Sequence, residues 1–161
     1  MALVDDFKQA LGSWASGVTI VSARDGDLMY ALTVSSFASV SLDPPLVVVC
    51  IGTQNRLCGM VTRSGRFGVS ILSRGQESHS NHFASRDRVP TGDLIEAMGG
   101  QTTHGLPVIA GASATLECSL HQAIPMGDHL MLMGEVTEAT ADGEEWPLLY
   151  FRRAYRGVTG D

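Results

Sequence analysis

The sequence predicts a mainly β protein, an antiparallel barrel or sandwich with short helices on its rim. About seven segments are rich in the β-branched and apolar residues of strands, and they follow one another without long helices between them. Strands alternating with long helices would instead indicate a doubly wound parallel sheet. The chain also lacks GxGxxG and GxxxxGK[ST], so neither a Rossmann fingerprint nor a P-loop is present.

The predicted elements begin with a helix over residues 5–17, because Phe7, Ala10, Leu11 and Trp14 recur at helical spacing. Trp14 is expected to lie in the core or in an interface. A strand over 18–23 leads through an Asp25-Gly26 hairpin into a second strand. That strand starts at residue 28, and its strand pattern is lost in a serine-rich segment that runs to residue 42. After a break at 43–45, residues 46–52 form a fully buried strand.

The rest of the chain continues the same pattern. A helix over 55–65 starts at the N-cap Asn55 and turns Leu57, Met60 and Val61 inward. A strand over 66–72 and a short helix over 74–86 follow, the latter with His79, His82 and Phe83 along one side. Residues 87–111, rich in Gly and Pro, are predicted to be a lid or loop excursion. Two antiparallel strands, 112–124 and 129–140, precede a closing segment over 147–158, and residues 1–161 form one domain.

Composition excludes several classes of protein. The 161 residues are 44% hydrophobic and carry a formal net charge of -6 without a basic cluster, which argues against a nucleic-acid partner. No apolar run reaches the roughly 18 residues of a membrane span, and the N-terminus has no basic signal-peptide region, so we expect a cytoplasmic protein. Cys50, Cys58 and Cys118 form no CxxC, which argues against a disulfide framework and a zinc site, and we expect no metal.

Small polar clusters at the ends of strands are the candidate functional residues. Thr33–Ser36 offers hydroxyl and N–H groups that suit a phosphate or the polar edge of a heterocycle, although an ordinary turn explains them too. Asn55 and Arg56 form either an anion site or a plain N-cap. The segment YFRRAYR near the C-terminus is either a phosphate clamp or a solvated edge.

A further polar cluster, Gly127-Asp128-His129, opens an apolar strand. The sequence permits two interpretations of this triplet. It forms a tight turn, or it lies at the edge of a site where Asp128 orients the imidazole of His129.

Taken together, the chain resembles the flavin reductase-like family, whose members have the FMN-binding split-barrel fold. These are the short-chain NAD(P)H:flavin oxidoreductase components of two-component monooxygenases. The most specific segments are TVSSFASVSLDPPL and GDH. The others are FKQALGSWASGVTIVSA, SGRFGVSIL, HFASR, GLPVIAGASATLECSL and PLLYFRRAYR.

The resemblance implies a six-stranded antiparallel split β-barrel with short rim helices. It further implies a homodimer with FMN or FAD in a groove at the interface. NADH or NADPH would donate the hydride, and the reduced flavin would pass to a separate monooxygenase. A flavin-binding carrier or sensor without reductase turnover is the alternative. Less favoured are a pyridoxamine-phosphate-oxidase-like or haem-associated relative and an inert dimerisation module.

The same resemblance implies a set of site residues. His129 would face the nicotinamide side of the flavin ring as a positioning residue, with Asp128 as its partner in the catalytic pair. The implied cofactor-binding residues are Thr33, Val34, Ser35 and Ser36 along the ring and ribityl chain, Cys50 and Ile51 beside the ring, Gln54, Asn55 and Arg56 near the phosphate, and Phe83, Ala84, Ser85, Arg86 and Tyr155. The chain departs from the family pattern at Leu57, which lacks a hydroxyl, and at Ser85, which replaces a glycine.

Overall fold

The computed structural model describes residues 2–85 and 94–158. Its helices are α1 (Ala2–Leu11), α2 (Arg56–Ser64), α3 (Glu77–Ala84) and α4 (Leu94–Met98). Its strands are β1 (Ser16–Gly17), β2 (Thr19–Asp25), β3 (Leu28–Val34), β4 (Phe37–Leu42), β5 (Pro45–Gly52), β6 (Arg66–Ile71), β7 (Gly99–Gln101), β8 (Pro107–Ile109), β9 (Ala114–Met126), β10 (His129–Ala141), β11 (Leu148–Phe151) and β12 (Ala154–Gly157). Within these two ranges, no helix is long and apolar enough to cross a membrane.

The protein is mainly β, as predicted, and its main sheet is antiparallel throughout. The strand order is β3-β2-β6-β9-β10-β5-β4, so this sheet has seven strands where six were expected. The serine-rich segment accounts for part of the difference. It does not dissolve but forms β4, which pairs with β5 through Phe37↔Val49 and Ala38↔Val48. Pairing with β5 overrides the weak strand preference of serine. Strand β5 is itself only half-buried, because buried and partly exposed residues alternate along it, so the predicted full burial of residues 46–52 is wrong.

One face of the main sheet encloses a hydrophobic core that α2 completes. Val21, Val34, Val49 and Phe67 contribute from four different strands. The close packing leaves no room for a side chain at Gly134 of β10, because a Cβ there would overlap the Phe67 ring. The core therefore brings strands that are far apart in the sheet order into one cluster.

Helix α2 has the cap and the buried face that the sequence predicts. Asn55 is its N-cap, and the Asn55 Oδ1 atom accepts a hydrogen bond from the Leu57 N–H at 3.0 Å. The predicted inward residues Leu57, Met60 and Val61 are buried. This helix is thus held by a local cap and by an apolar stripe, both of which are visible in the sequence.

Helix α1 is present but ends at Leu11, and its apolar side chains do not face a core. Phe7 and Trp14 are 59% and 76% exposed, and α1 has no buried residue, so Trp14 does not lie in the core of the single chain. The expected range to residue 17 was also too long, because Ser16 and Gly17 form β1 against β11. The helical spacing was interpreted correctly, but the apolar stripe lies on the surface of the single chain.

The expected lid over residues 87–111 is wrong for residues 94–111, while residues 87–93 lie outside the described residues. Helix α4 and the β7–β8 hairpin pack against the main sheet, and Leu94, Met98 and Ile109 share a buried cluster with Ile20 and Phe83. The glycines in this region serve tight turns in a packed unit, since Gly99 and Gly105 have φ values of 82° and 75°.

A buried carboxylate joins this packed unit to the main sheet. Glu117 of β9 is 1% exposed, and it accepts hydrogen bonds from the Arg66 guanidinium at 2.8 Å and the His104 N–H at 3.1 Å. Burial alone would raise the pKa of Glu117, but hydrogen bonds from Thr102 and His104 outweigh burial and lower the pKa. Glu117 is therefore held ionised between β6, β9 and the segment that precedes β8.

Candidate active site

A groove of about 630 Å³ lies where α1, the β3–β4 connection, β5 and the β11–β12 hairpin meet. We call it the serine groove, and it is lined by Trp14, Ser35, Ser36, Cys50 and Tyr150, among others. Its volume falls in the range of roughly 300–1,000 Å³ that is typical of small-molecule sites. Aromatic walls with a few polar groups suit a planar heterocycle.

Two hydrogen bonds to the backbone of Cys50 fix the hydroxyl of Ser36 in this groove. Ser36 Oγ donates to the carbonyl of Cys50 at 2.7 Å and accepts from the Cys50 N–H at 3.1 Å. Its single proton is thus used, and only one lone pair remains for a ligand. In this arrangement a lone pair of Ser36 Oγ can accept a hydrogen bond from a ring N–H.

A smaller recess of about 160 Å³ continues from the serine groove past Ser35 and Tyr150. Thr33, Ala84 and Tyr155 line it. The Tyr155 hydroxyl lies 2.7 Å from Ser80 Oγ, and Thr33 Oγ1 donates to the Ser80 carbonyl at 2.7 Å. These contacts anchor α3 to β3 and β12, so the predicted residues from three elements meet in one place.

A third recess, of about 530 Å³, is formed by Gly52–Asn55 and Asp128, and we call it the hairpin recess. It brings the predicted residues Gln54 and Asn55 beside the tip of the β9–β10 hairpin. The Asp128 carbonyl accepts from the Thr53 N–H at 3.0 Å, which ties the two loops together. Gly52 pairs with His129, only two residues along β5 from Cys50, so about 7 Å of strand separates the two sites.

The Gly127-Asp128-His129 triplet is both a turn and the edge of a recess. Gly127 has φ 60° in a two-residue turn between the paired residues Met126 and His129. Asp128 Oδ1 lies 2.6 Å from His129 Nδ1, and both side chains are exposed. The hydrogen bond from His129, followed by the positive charge that His129 can carry, lowers the pKa of Asp128. The pair therefore leaves His129 Nε2 pointing away from Asp128 and available to a ligand.

Other predicted site residues have their side chains elsewhere. Val34 and Ile51 are 5% and 2% exposed and belong to the core, so only their backbones are available to a ligand. Phe83 is also buried. The Arg56 guanidinium lies 5.2 Å from the centre of the Tyr30 ring and is not part of the hairpin recess. Ser85 ends α3, and Arg86 lies outside the described residues.

The structure adds groove residues that were not among the predicted site residues. These are Lys8 and Trp14 near α1, Tyr150 on β11, and Arg152 and Arg153 in the β11–β12 turn. Of these, Tyr150, Arg152 and Arg153 belong to the segment YFRRAYR, which the sequence left open as either a phosphate clamp or a solvated edge. Lys8 gave no sign of a ligand site, and Trp14 was expected in the core or in an interface.

Comparison with known proteins identifies relatives over nearly the whole chain. The sequence profile of the flavin reductase like domain matches residues 11–159. The reductase component of 4-hydroxyphenylacetate 3-monooxygenase from Thermus thermophilus is 41% identical over 150 residues, which cover 93% of each chain. An NADH-dependent FAD reductase from Streptomyces globisporus is 38% identical over 143 residues, covering 87% of this chain and 75% of the relative.

The solved structures agree with the sequence relatives. The flavin reductase component of a bacterial two-component tryptophan halogenase superposes with a TM-score of 0.92 and 32% identity, covering 98% of this chain and 99% of that one. The family that the sequence resembles is thus confirmed by sequence and by fold. The chain belongs to the flavin reductase-like family.

Proposed function

We propose that the protein is an NAD(P)H:flavin oxidoreductase that reduces FMN or FAD and supplies the reduced flavin to a separate monooxygenase. The observation that carries this proposal is similarity over 93% of both chains to the reductase component of a monooxygenase. Relatives named as NADH-dependent FAD and FMN reductases favour NADH as the hydride donor.

The serine groove is the proposed place for the flavin ring. Ser36 accepts a hydrogen bond from the ring's N–H edge, and Trp14 and Tyr150 provide apolar surface. Ser36, Trp14 and Tyr150 would hold the flavin, and the flavin and nicotinamide would themselves supply the hydride-transfer chemistry. The protein contributes the orientation of the two rings and the exclusion of water.

His129 is the proposed positioning residue for the nicotinamide. The Asp128 carboxylate favours a proton on His129 Nδ1, so Nε2 of the neutral imidazole is a hydrogen-bond acceptor. An acceptor at this position suits the amide N–H of a carboxamide. The proposed catalytic pair therefore serves first to position the nicotinamide.

We also propose that the curved main sheet is the barrel of this family and that a second copy of the chain covers α1. Strands β3 and β5 share one core although four strands lie between them in the sheet order, which supports a barrel. The exposed apolar side chains of α1, among them Leu3, Phe7 and Leu11, support a homodimer. This helix also borders the serine groove, so a second copy there would lie next to the flavin.

The direct test is steady-state oxidation of NADH and NADPH with FMN, FAD and riboflavin added in turn. We expect rapid oxidation that saturates with flavin concentration and is faster with NADH. Quenching of flavin fluorescence without oxidation of either nucleotide would contradict the proposal and favour a carrier or sensor.

A further inference from the structure

Two residues of α3 hold the hydroxyl of Tyr155 on β12. The Tyr155 hydroxyl donates to Asn81 Oδ1 at 3.1 Å, and Ser80 Oγ lies 2.7 Å from it. Because the single phenolic proton goes to Asn81, Ser80 donates its own proton to Tyr155. The two hydrogen bonds come from successive residues of one helical turn, so together they fix the orientation of the Tyr155 ring.

The position of α3 depends on these hydrogen bonds. The Gln76 side chain at its N-cap makes its hydrogen bonds outside the helix. Within the described residues of α3, only Ser80 and Phe83 are buried. A helix of eight residues without a side-chain cap is weak by itself, and a buried hydroxyl costs free energy unless it is hydrogen-bonded. The bond between Ser80 and Tyr155 therefore fixes where α3 lies against β12.

Tyr155 in turn sets the orientation of Tyr150 on the neighbouring strand. The two residues are paired across β11 and β12, and their rings pack at 62° with centroids 5.4 Å apart. This is close to the edge-to-face geometry that aromatic pairs prefer. Tyr150 is 37% exposed and lines both the serine groove and the smaller recess, where Tyr155 lies beside it. The Tyr150 ring therefore enters the wall of the groove at an angle that Tyr155 determines.

We propose that Tyr155 is a positioning residue for the flavin and that it acts through Tyr150. The hydrogen bonds from α3 hold the Tyr155 ring, and that ring holds Tyr150 in the groove wall, against the flavin ring. The inference rests on the proposed function and adds a residue to the same groove. The resemblance includes Tyr155 among the cofactor-binding residues, but its phenolic proton is used within the protein. The contribution of Tyr155 to flavin binding is therefore indirect.

The test measures dissociation constants for FMN, from quenching of flavin fluorescence, in Tyr155→Phe and Ser80→Ala. Phenylalanine keeps the ring, and alanine is a better helix former than serine, so each variant removes mainly the hydrogen bond. We expect FMN to bind roughly fivefold more weakly in either variant. The double variant should resemble Tyr155→Phe, because both changes remove the same interaction. The KM for flavin should rise in parallel, while kcat and the KM for NADH stay within about twofold.

A second background shows whether Tyr155 acts through Tyr150. Tyr150→Leu should weaken FMN binding, and adding Tyr155→Phe should then change the dissociation constant little, because the ring that Tyr155 orients is gone. An equal loss of affinity from Tyr155→Phe in both backgrounds would overturn the inference. A fall in kcat without any change in flavin affinity would overturn it too.

The control is Thr62→Ala, which removes a hydrogen bond of similar length from another helix. The Thr62 hydroxyl donates to the Cys58 carbonyl at 2.7 Å within α2, away from the residues that line the groove and the smaller recess. We expect its FMN affinity to stay at the wild-type value, and thermal melting reports folding in every variant. If Thr62→Ala weakened FMN binding as much as Tyr155→Phe does, the effect would be a general loss of rigidity and the inference would be wrong.

The wild-type protein separates this inference from the proposed function. If the wild type oxidises NADH with FMN and Tyr155→Phe binds FMN as tightly as the wild type, the role of Tyr155 is wrong and the reductase stands. If the wild type neither binds nor reduces a flavin, the proposed function fails and the inference fails with it.

Discussion

At the scale of single residues, the contact between Asp128 and His129 fixes the imidazole proposed to position the nicotinamide. The two side chains lie 2.6 Å apart at an exposed hairpin tip, where solvent screens their attraction, so their value is orientation and not stability. We expect His129→Ala to lower kcat/KM for NADH by roughly tenfold and to leave the flavin dissociation constant within about twofold. Asp128→Asn should lower kcat/KM less and should not change Tm. Stopped-flow kinetics measures the turnover of both variants, and a parallel fluorescence titration measures their flavin affinity. Equal losses of turnover and flavin affinity in His129→Ala would mean that His129 holds the flavin.

At the scale of elements, Glu117 joins the segment before β8 to β6 and β9. Its pKa is lowered in the folded protein, so its contribution to stability is present above the unfolded pKa and is lost as pH falls through the folded pKa. Glu117→Gln should lower the free energy of unfolding by about 1.5 kcal/mol at neutral pH, because the charge-assisted hydrogen bond from the partly exposed Arg66 is weakened. The variant should also lose less stability than the wild type on acidification. Urea unfolding at several pH values measures the loss of stability and its dependence on pH. If the stabilities of the variant and the wild type changed equally with pH, Glu117 would not hold the segment before β8.

At the scale of the whole molecule, the exposed apolar face of α1 predicts the assembly. Phe7 is 59% exposed on a helix with no buried residue, so it has no packing role within one chain. Phe7→Asp should therefore convert the proposed dimer into a monomer without lowering the stability of the chain itself. Light scattering after size-exclusion chromatography gives the mass directly. The control is Leu28→Asp, which changes an exposed apolar residue of the β2–β3 hairpin instead. A wild-type mass of one chain would contradict the homodimer.

Local sequence patterns are enough to predict some helices and strands but not others. Helix α2 and strands β5, β9 and β10 follow from caps and apolar patterning, which act within the segment itself. Strand β4 was missed because its serines become a strand only by pairing with β5. The packing of α4 and the β7–β8 hairpin was missed because glycine and proline mark tight turns as readily as loops.

The sequence likewise predicted some of the residues that line the recesses and left others undecided. Ser36, Cys50 and Asp128 line recesses of the structure, and their contacts with a flavin or nicotinamide stay predictions. Arg152 and Arg153 were left undecided, because their role depends on a turn that brings them beside α1, about 140 residues away in sequence. Tertiary contact, and not residue type, decided which basic residues line the groove.

The central claim is that the protein passes a hydride from NADH to a flavin. Its most direct test mixes NADH with FMN in the absence of oxygen, with and without a catalytic amount of the protein, and follows both absorption bands. We predict that the nicotinamide and flavin bands disappear together, in equal amounts and at a rate proportional to protein concentration. Flavin fluorescence that is quenched on mixing while both absorption bands persist would contradict the claim and leave a flavin-binding protein without turnover.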